Sequence, residues 1–141
     1  MRKAIVLLIF SFCVHVWAQS PEESIRNVLK IQSEAWNKGD VDGFMKYYWN
    51  NTELTFVSSR GVSKGWQQVH DNYKKGYPDK KAMGFLTFDN LVFDKMSSKA
   101  YMVTGSWHLQ KEQEVGGWFT DRKSTRLNSS HIQKSRMPSS A

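Results

Sequence analysis

The sequence predicts one α+β domain, with helices in its first half and long antiparallel strands in its second. Three observations carry this. Apolar residues recur at helical spacing from Ile25 to Trp36. Two strongly β-prone runs, Phe85–Asp94 and Ala100–Gln110, flank a turn of Lys95-Met96-Ser97-Ser98-Lys99. A chain of 141 residues is long enough for one domain and short for two.

The elements follow in order. Ser20-Pro21-Glu22-Glu23 is a helix start: Ser20 caps, Pro21 fits the first turn, and Glu23 closes a capping box. Ile25, Val28, Leu29, Gln32, Ala35 and Trp36 form one stripe, and Lys38-Gly39 ends the helix. Asp40 caps a shorter second helix whose Val41, Phe44, Met45 and Tyr48 share a face. Glu53–Ser58 alternates as a strand, and Arg60-Gly61 turns the chain. Gly65–Lys75 is the third helix, presenting Trp66, Val69, His70 and Tyr73, and Tyr77-Pro78-Asp79 breaks it. The hairpin Phe85–Gln110 follows, and Trp118-Phe119-Thr120 opens another strand.

Both ends differ from this middle. Met1-Arg2-Lys3 is a cationic start, and Ala4–Val16 is an apolar run of roughly 13 residues, short of the ~20 that a membrane span needs. Val16-Trp17-Ala18 has small residues where a signal peptidase reads them, so residues 1–18 are expected to be a signal peptide cleaved after Ala18, giving a secreted or periplasmic protein. The one cysteine, Cys13, lies in that leader, and Phe12 before it disfavours lipid attachment. A mature chain would therefore have neither disulfide nor thiolate chemistry. After Thr120 the composition changes: residues 121–141 contain no aromatic residue and six serines. Such a segment buries too little to order itself, so it is expected to be a disordered or non-native tail. Its wording resembles the translated ends of contaminated sequence assemblies.

Charge excludes one function class. The formal net charge is +7, but residues 19–120 carry 13 Lys/Arg against 12 Asp/Glu, so the excess sits in the leader and the tail. With no basic face in the middle, no nucleic-acid partner is expected.

Several strings together resemble one superfamily: Ile31 to Asp40 with its Trp-x-x-Gly-Asp junction, Phe56–Gly61 before Lys64-Gly65-Trp66, Tyr73–Asp79 with Met83–Phe88, Gly105–Leu109, and Gly116–Thr120. In this order they resemble the nuclear-transport-factor-two-like (SnoaL-like) superfamily, in its exported bacterial branch, over residues 20–120. The resemblance implies a curved antiparallel sheet wrapped around three N-terminal helices, a cone-shaped, cystatin-like fold with a conical cavity. It also implies one more strand with a pocket-facing Asp-His stretch, which this tail lacks, so the last strand is expected to be missing.

Aromatic side chains suit such a cavity because they bury much area and stay stiff. The candidate lining is Trp36, Tyr47, Tyr48, Phe56, Trp66, Tyr73, Trp107 and Trp118, although aromatics at these spacings also build plain cores. His70 and Tyr73, three apart on one helix, are the candidate catalytic pair: an acid/base and an oxyanion donor. Related ketosteroid-isomerase-like enzymes set a carboxylate base opposite oxyanion donors, and here Asp40, Asp89 and Asp94 are available, though Asp40 reads as a cap and Asp94 as a turn acid. Of Trp107 and His108, at most one faces inward. No His/Asp/Glu cluster has metal-ligand spacing, no phosphate loop occurs, and no cofactor is expected. Three readings stay open: a binder of a small apolar molecule, a cofactor-free isomerase, cyclase or dehydratase, and a homodimeric interaction module built on an exposed apolar strip along 85–110. None has a membrane partner after signal cleavage.

Overall fold

The computed structural model describes residues 19–124 and 136–137; the expected signal peptide lies outside them. Helix α1 (Pro21–Asn37) starts as the sequence predicts. Ser20 Oγ accepts from the Glu23 amide at 3.2 Å, and the Glu23 carboxylate accepts from the Ser20 amide at 3.1 Å. Ile25, Leu29, Gln32 and Trp36 form its buried stripe, and Gly39, at φ 86°, takes the left-handed conformation that ends it. In α2 (Val41–Met45) the Asp40 carboxylate accepts from the Gly43 amide at 2.8 Å. Val41, Phe44, Met45 and Tyr48 are all buried, as their shared face requires.

Strands β1 (Thr55–Ser58) and β2 (Gly61–Lys64) form a hairpin across Ser59-Arg60. The sequence gives no sign of β2, whose large apolar residue, Val62, is 65% exposed. A strand held only by its ladder leaves no burial pattern to read. Helix α3 (Trp66–Gly76) buries Val69 and Tyr73, and the single turn α4 (Lys80–Met83) is capped by Asp79, which accepts from the Ala82 amide at 2.8 Å.

The long strands are β3 (Phe85–Ser97), β4 (Ala100–Gln110) and β5 (Val115–Ser124), all antiparallel. The turn between β3 and β4 is tighter than the sequence suggests, because β3 continues to Ser97; Asp94 pairs with Met102 and is a strand residue. Between Asp89↔Ser106 and Val92↔Thr104, β3 carries one extra residue, with Asn90 at φ 52°. That bulge bends the ribbon, which supplies the expected curvature. The expected single sheet is two three-stranded groups, β2-β1-β6 and β3-β4-β5, where β6 (Arg136–Met137) runs parallel to β1.

The composition break after Thr120 does not end β5, which runs four residues further, through Asp121, Arg122, Lys123 and Ser124. Composition misleads there, because the complete ladder of β4 pairs Ala100–Val103 with Ser124–Asp121, and alternation continues with Phe119, Asp121 and Lys123 inward. Most of the expected tail, and with it the question of a missing strand, lies outside the described residues.

Helices and sheet are joined by two side chains at the end of α1. Trp36 Nε1 donates to the Met83 carbonyl at 3.0 Å. Asn37 donates to the Leu86 carbonyl at 3.0 Å and accepts from the Leu86 amide at 2.7 Å. Its carboxamide thus takes the place of a neighbouring strand on the open edge of β3. Inward residues of β4 (Tyr101, Val103, Trp107, Leu109) close the core against the helices. Among the described residues no helix is long and apolar enough to cross a membrane.

Candidate functional site

The expected hollow is largely filled by its own rings. Trp36 is 1% exposed and meets Phe44, Tyr73 and Tyr77 edge-on, at centroid distances of 5.1, 5.8 and 4.7 Å. Tyr73 also meets Phe44, Phe56 and Tyr48, at 5.4, 5.7 and 6.4 Å. Edge-to-face contacts of this kind add to the area each ring buries. Trp36, Tyr48 and Trp107 are therefore core, and Trp107 is the inward member of the Trp107/His108 pair.

A cavity of about 300 Å³ remains beside this cluster, between the β1–β2 hairpin and the second half of α3. Phe56, Val69, Tyr73 and Tyr77 are its apolar lining. Ser58, Arg60 and Ser63 come from the hairpin, and Asn72 and Lys75 from α3. Asn72 Nδ2 donates to Ser63 Oγ at 3.1 Å, tying the two walls together. The volume is at the small end of ligand sites and suits one ring with a short substituent.

Of the sequence candidates, Phe56 and Tyr73 line this cavity. Tyr47 is half-buried and lies elsewhere. Trp66 donates to the Met45 carbonyl at 3.1 Å and borders a shallow hollow with Asp40 and Asp42. Trp118 is a correction: it is 62% exposed on the outer face of the sheet, because β5 alternates and Phe119 takes the inward position.

His70 is a second correction, since it does not share the cavity with Tyr73. Positions three apart on a helix are offset by about 60°, and here that offset turns His70 toward α2. Its Nε2 lies 2.6 Å from Asp42 Oδ1, and its ring stacks on Trp66 at 4.8 Å. Lys74 reaches the other Asp42 oxygen at 2.9 Å. Hydrogen bonds from Lys74 and then His70 hold the Asp42 carboxyl below its ordinary value. The three side chains fasten α2 to α3. Of the candidate carboxylates, Asp40 is the α2 cap, and Asp89 and Asp94 are exposed on β3.

Tyr73 is held neutral. Burial is the main reason its phenol lies well above the usual value, with Tyr48, through charge and a hydrogen bond, and then Tyr77 and Asp121 adding to the rise. Burial also raises Tyr77, while the charge of Arg60 pulls it the other way.

Sequence reasoning missed the polar half of the cavity and a buried polar group behind the rings. Asp121 and Lys123, both inward on β5, pair at 2.8 Å, and Lys123 reaches Gln32 Oε1 at 3.3 Å. Gln32 in turn donates to the Phe44 carbonyl at 3.1 Å. Continuing the alternation from Phe119 would have found Asp121 and Lys123. Among the described residues, no three His, Cys, Asp or Glu side chains converge as a metal site.

No protein-family model and no curated protein matches the sequence. Solved structures do. An NTF-2 like protein of unknown function from Shewanella oneidensis MR-1 is 34% identical, with a TM-score of 0.76 over 84% of this chain and 99% of that one. A domain of unknown function with a cystatin-like fold from Nostoc punctiforme PCC 73102 matches at 13% identity and TM-score 0.64, over 84% of this chain and 76% of its own. A cystatin-like fold protein from Burkholderia xenovorans LB400 matches at 12% identity and TM-score 0.61, over 84% and 90%. The last two likenesses concern the fold alone.

Proposed function

This chain belongs to the NTF2-like family, and from that premise we propose that it is an exported protein that binds a small, largely apolar molecule in the cavity between the β1–β2 hairpin and α3. The observation that carries this reading is the division of the cavity, with rings and Val69 on one part of its lining and hydroxyl, amide and cationic groups on the rest. An apolar floor supplies affinity through burial, and a few placed polar groups fix orientation. The cofactor-free isomerase, cyclase or dehydratase reading has less support, because among the described residues no carboxylate or imidazole lines this cavity and general acid/base chemistry needs one within hydrogen-bond reach. Export rests on the three-part layout of residues 1–18.

Calorimetric titration with 3-phenylpropanol tests the binding reading. Saturable one-to-one binding is expected, and Ser63→Trp, which fills the cavity from an exposed edge strand, abolishes it while the circular dichroism spectrum is kept. Binding that survives Ser63→Trp would refute the placement.

A second reading, pairing of two copies through the outer sheet face, is favoured by exposed Trp118, Phe85 and Val92 on that face. Sedimentation at high concentration checks it: a dimer that Trp118→Lys dissociates is expected, and a strict monomer removes the idea.

A further inference from the structure

We propose that the molecule held in this cavity is an acid, with its apolar body on Phe56, Val69 and Tyr73 and its carboxylate between Arg60 and Lys75; this rests on the binding reading above. Arg60 sits in the β1–β2 turn and Lys75 on α3, so two cations from separate elements line one cavity that, among the described residues, no Asp or Glu lines. Residues 19–120 carry almost equal numbers of acids and bases, so a described lining with two cations and no acid departs from the balance of the domain as a whole.

Among the described residues four lysines have acidic partners, and most of the other cations, Arg60 and Lys75 among them, have none. Lys30 meets Glu34, Lys74 meets Asp42, Lys81 meets Glu112 and Lys123 meets Asp121. Among the described residues, neither Arg60 nor Lys75 forms an ion pair. The hairpin fixes the base of Arg60, whose amide donates to Ser58 Oγ at 3.2 Å, next to Gly61 at φ 114°. Arg60 and Tyr77 line the same cavity, and the charge of Arg60 opposes the rise that burial gives the Tyr77 phenol. Arginine offers paired donors that match the two oxygens of a carboxylate, while the lysine contributes a compact charge. Ser58, Ser63 and Asn72 give further hydrogen-bonding groups on the same lining.

The test compares 3-phenylpropionate, 3-phenylpropanol and 3-phenylpropylammonium, with octanoate beside them to distinguish an acyl body from a ring. Charge-assisted bonds at a partly exposed rim predict that the acid binds about five- to tenfold tighter than the alcohol at low salt, with the ammonium weakest. The preference should shrink in 0.5 M salt, by screening of about the strength expected near that concentration, and should collapse in Arg60→Gln/Lys75→Gln. Equal binding of acid and alcohol overturns the acid inference and leaves the binding reading standing. A preference that survives in the double variant overturns the assignment to these two residues. No binding of any probe by folded protein overturns the cavity reading itself, and the acid inference with it.

Discussion

Replacing Asn37 by alanine tests how the helices are registered on the sheet. Asn37 spends both ends of its carboxamide on one residue, Leu86, at 3.0 and 2.7 Å, and Leu86 is 1% exposed. Removing the side chain leaves a backbone N–H and C=O without these partners at a largely covered position. Each unsatisfied group costs about 1–3 kcal/mol. Because Asn37 is only part-buried, some water reaches the site, and the sum is expected to be about 2–4 kcal/mol. Asn37→Leu keeps most of the volume and should cost about as much, which attributes the loss to hydrogen bonding rather than packing. The assay is urea unfolding followed by circular dichroism, read as a shift in midpoint at constant slope. A loss below about 0.5 kcal/mol, typical of an unremarkable surface change, would refute the claim that Asn37 stands in for a strand along the edge of β3.

Two further predictions concern α2. A Cβ added at Gly43 would lie 2.3 Å from Asp40 Oδ2 and 3.2 Å from the Ala35 methyl, so Gly43→Ala must displace the cap. The usual helix gain of about 1 kcal/mol is then offset by a lost cap of similar size; chemical denaturation should show no stabilisation in the native background and a gain in Asp40→Ala, whereas a gain in both would contradict the geometry. Asp42, whose carboxyl Lys74 and His70 hold below its ordinary value, contributes stability that is present above the unfolded carboxylate value, near 4, and is lost as pH falls through the lower folded one. Thermal unfolding of Asp42→Asn should therefore fall below that of the native chain at pH 6 and converge with it toward pH 2; a gap that does not change with pH would remove the electrostatic account.

The elements legible in the sequence are those that bury an apolar face or carry a local cap. Ser20 and Glu23 announced α1, Asp40 announced α2, and the alternation from Ala100 to Gln110 announced β4, because each signal lies within a few residues. Strand β2 was illegible because it buries almost nothing, and α4 because a single turn has no periodicity. In the site, the rings were nameable in advance, but their division between core and cavity was not. Trp36, Phe56 and Tyr73 look alike in a linear pattern, and only the packing of α3 on the hairpin determines which of them borders empty space. Arg60 and Lys75 were invisible for a related reason: each is an ordinary surface cation until the hairpin and the helix bring them to one cavity. His70 was misplaced because two residues on nearly the same side of a helix can still face different neighbours.

Intermolecular nuclear Overhauser contacts to bound 3-phenylpropionate test the central claim most directly, since they report where the molecule sits. Contacts from its ring protons to Phe56, Val69 and Tyr73, with the methylene next to the carboxylate near the side chain of Arg60, are the predicted result. Contacts confined to Trp118 and the outer face of the sheet, in a protein whose own core contacts are intact, would contradict it.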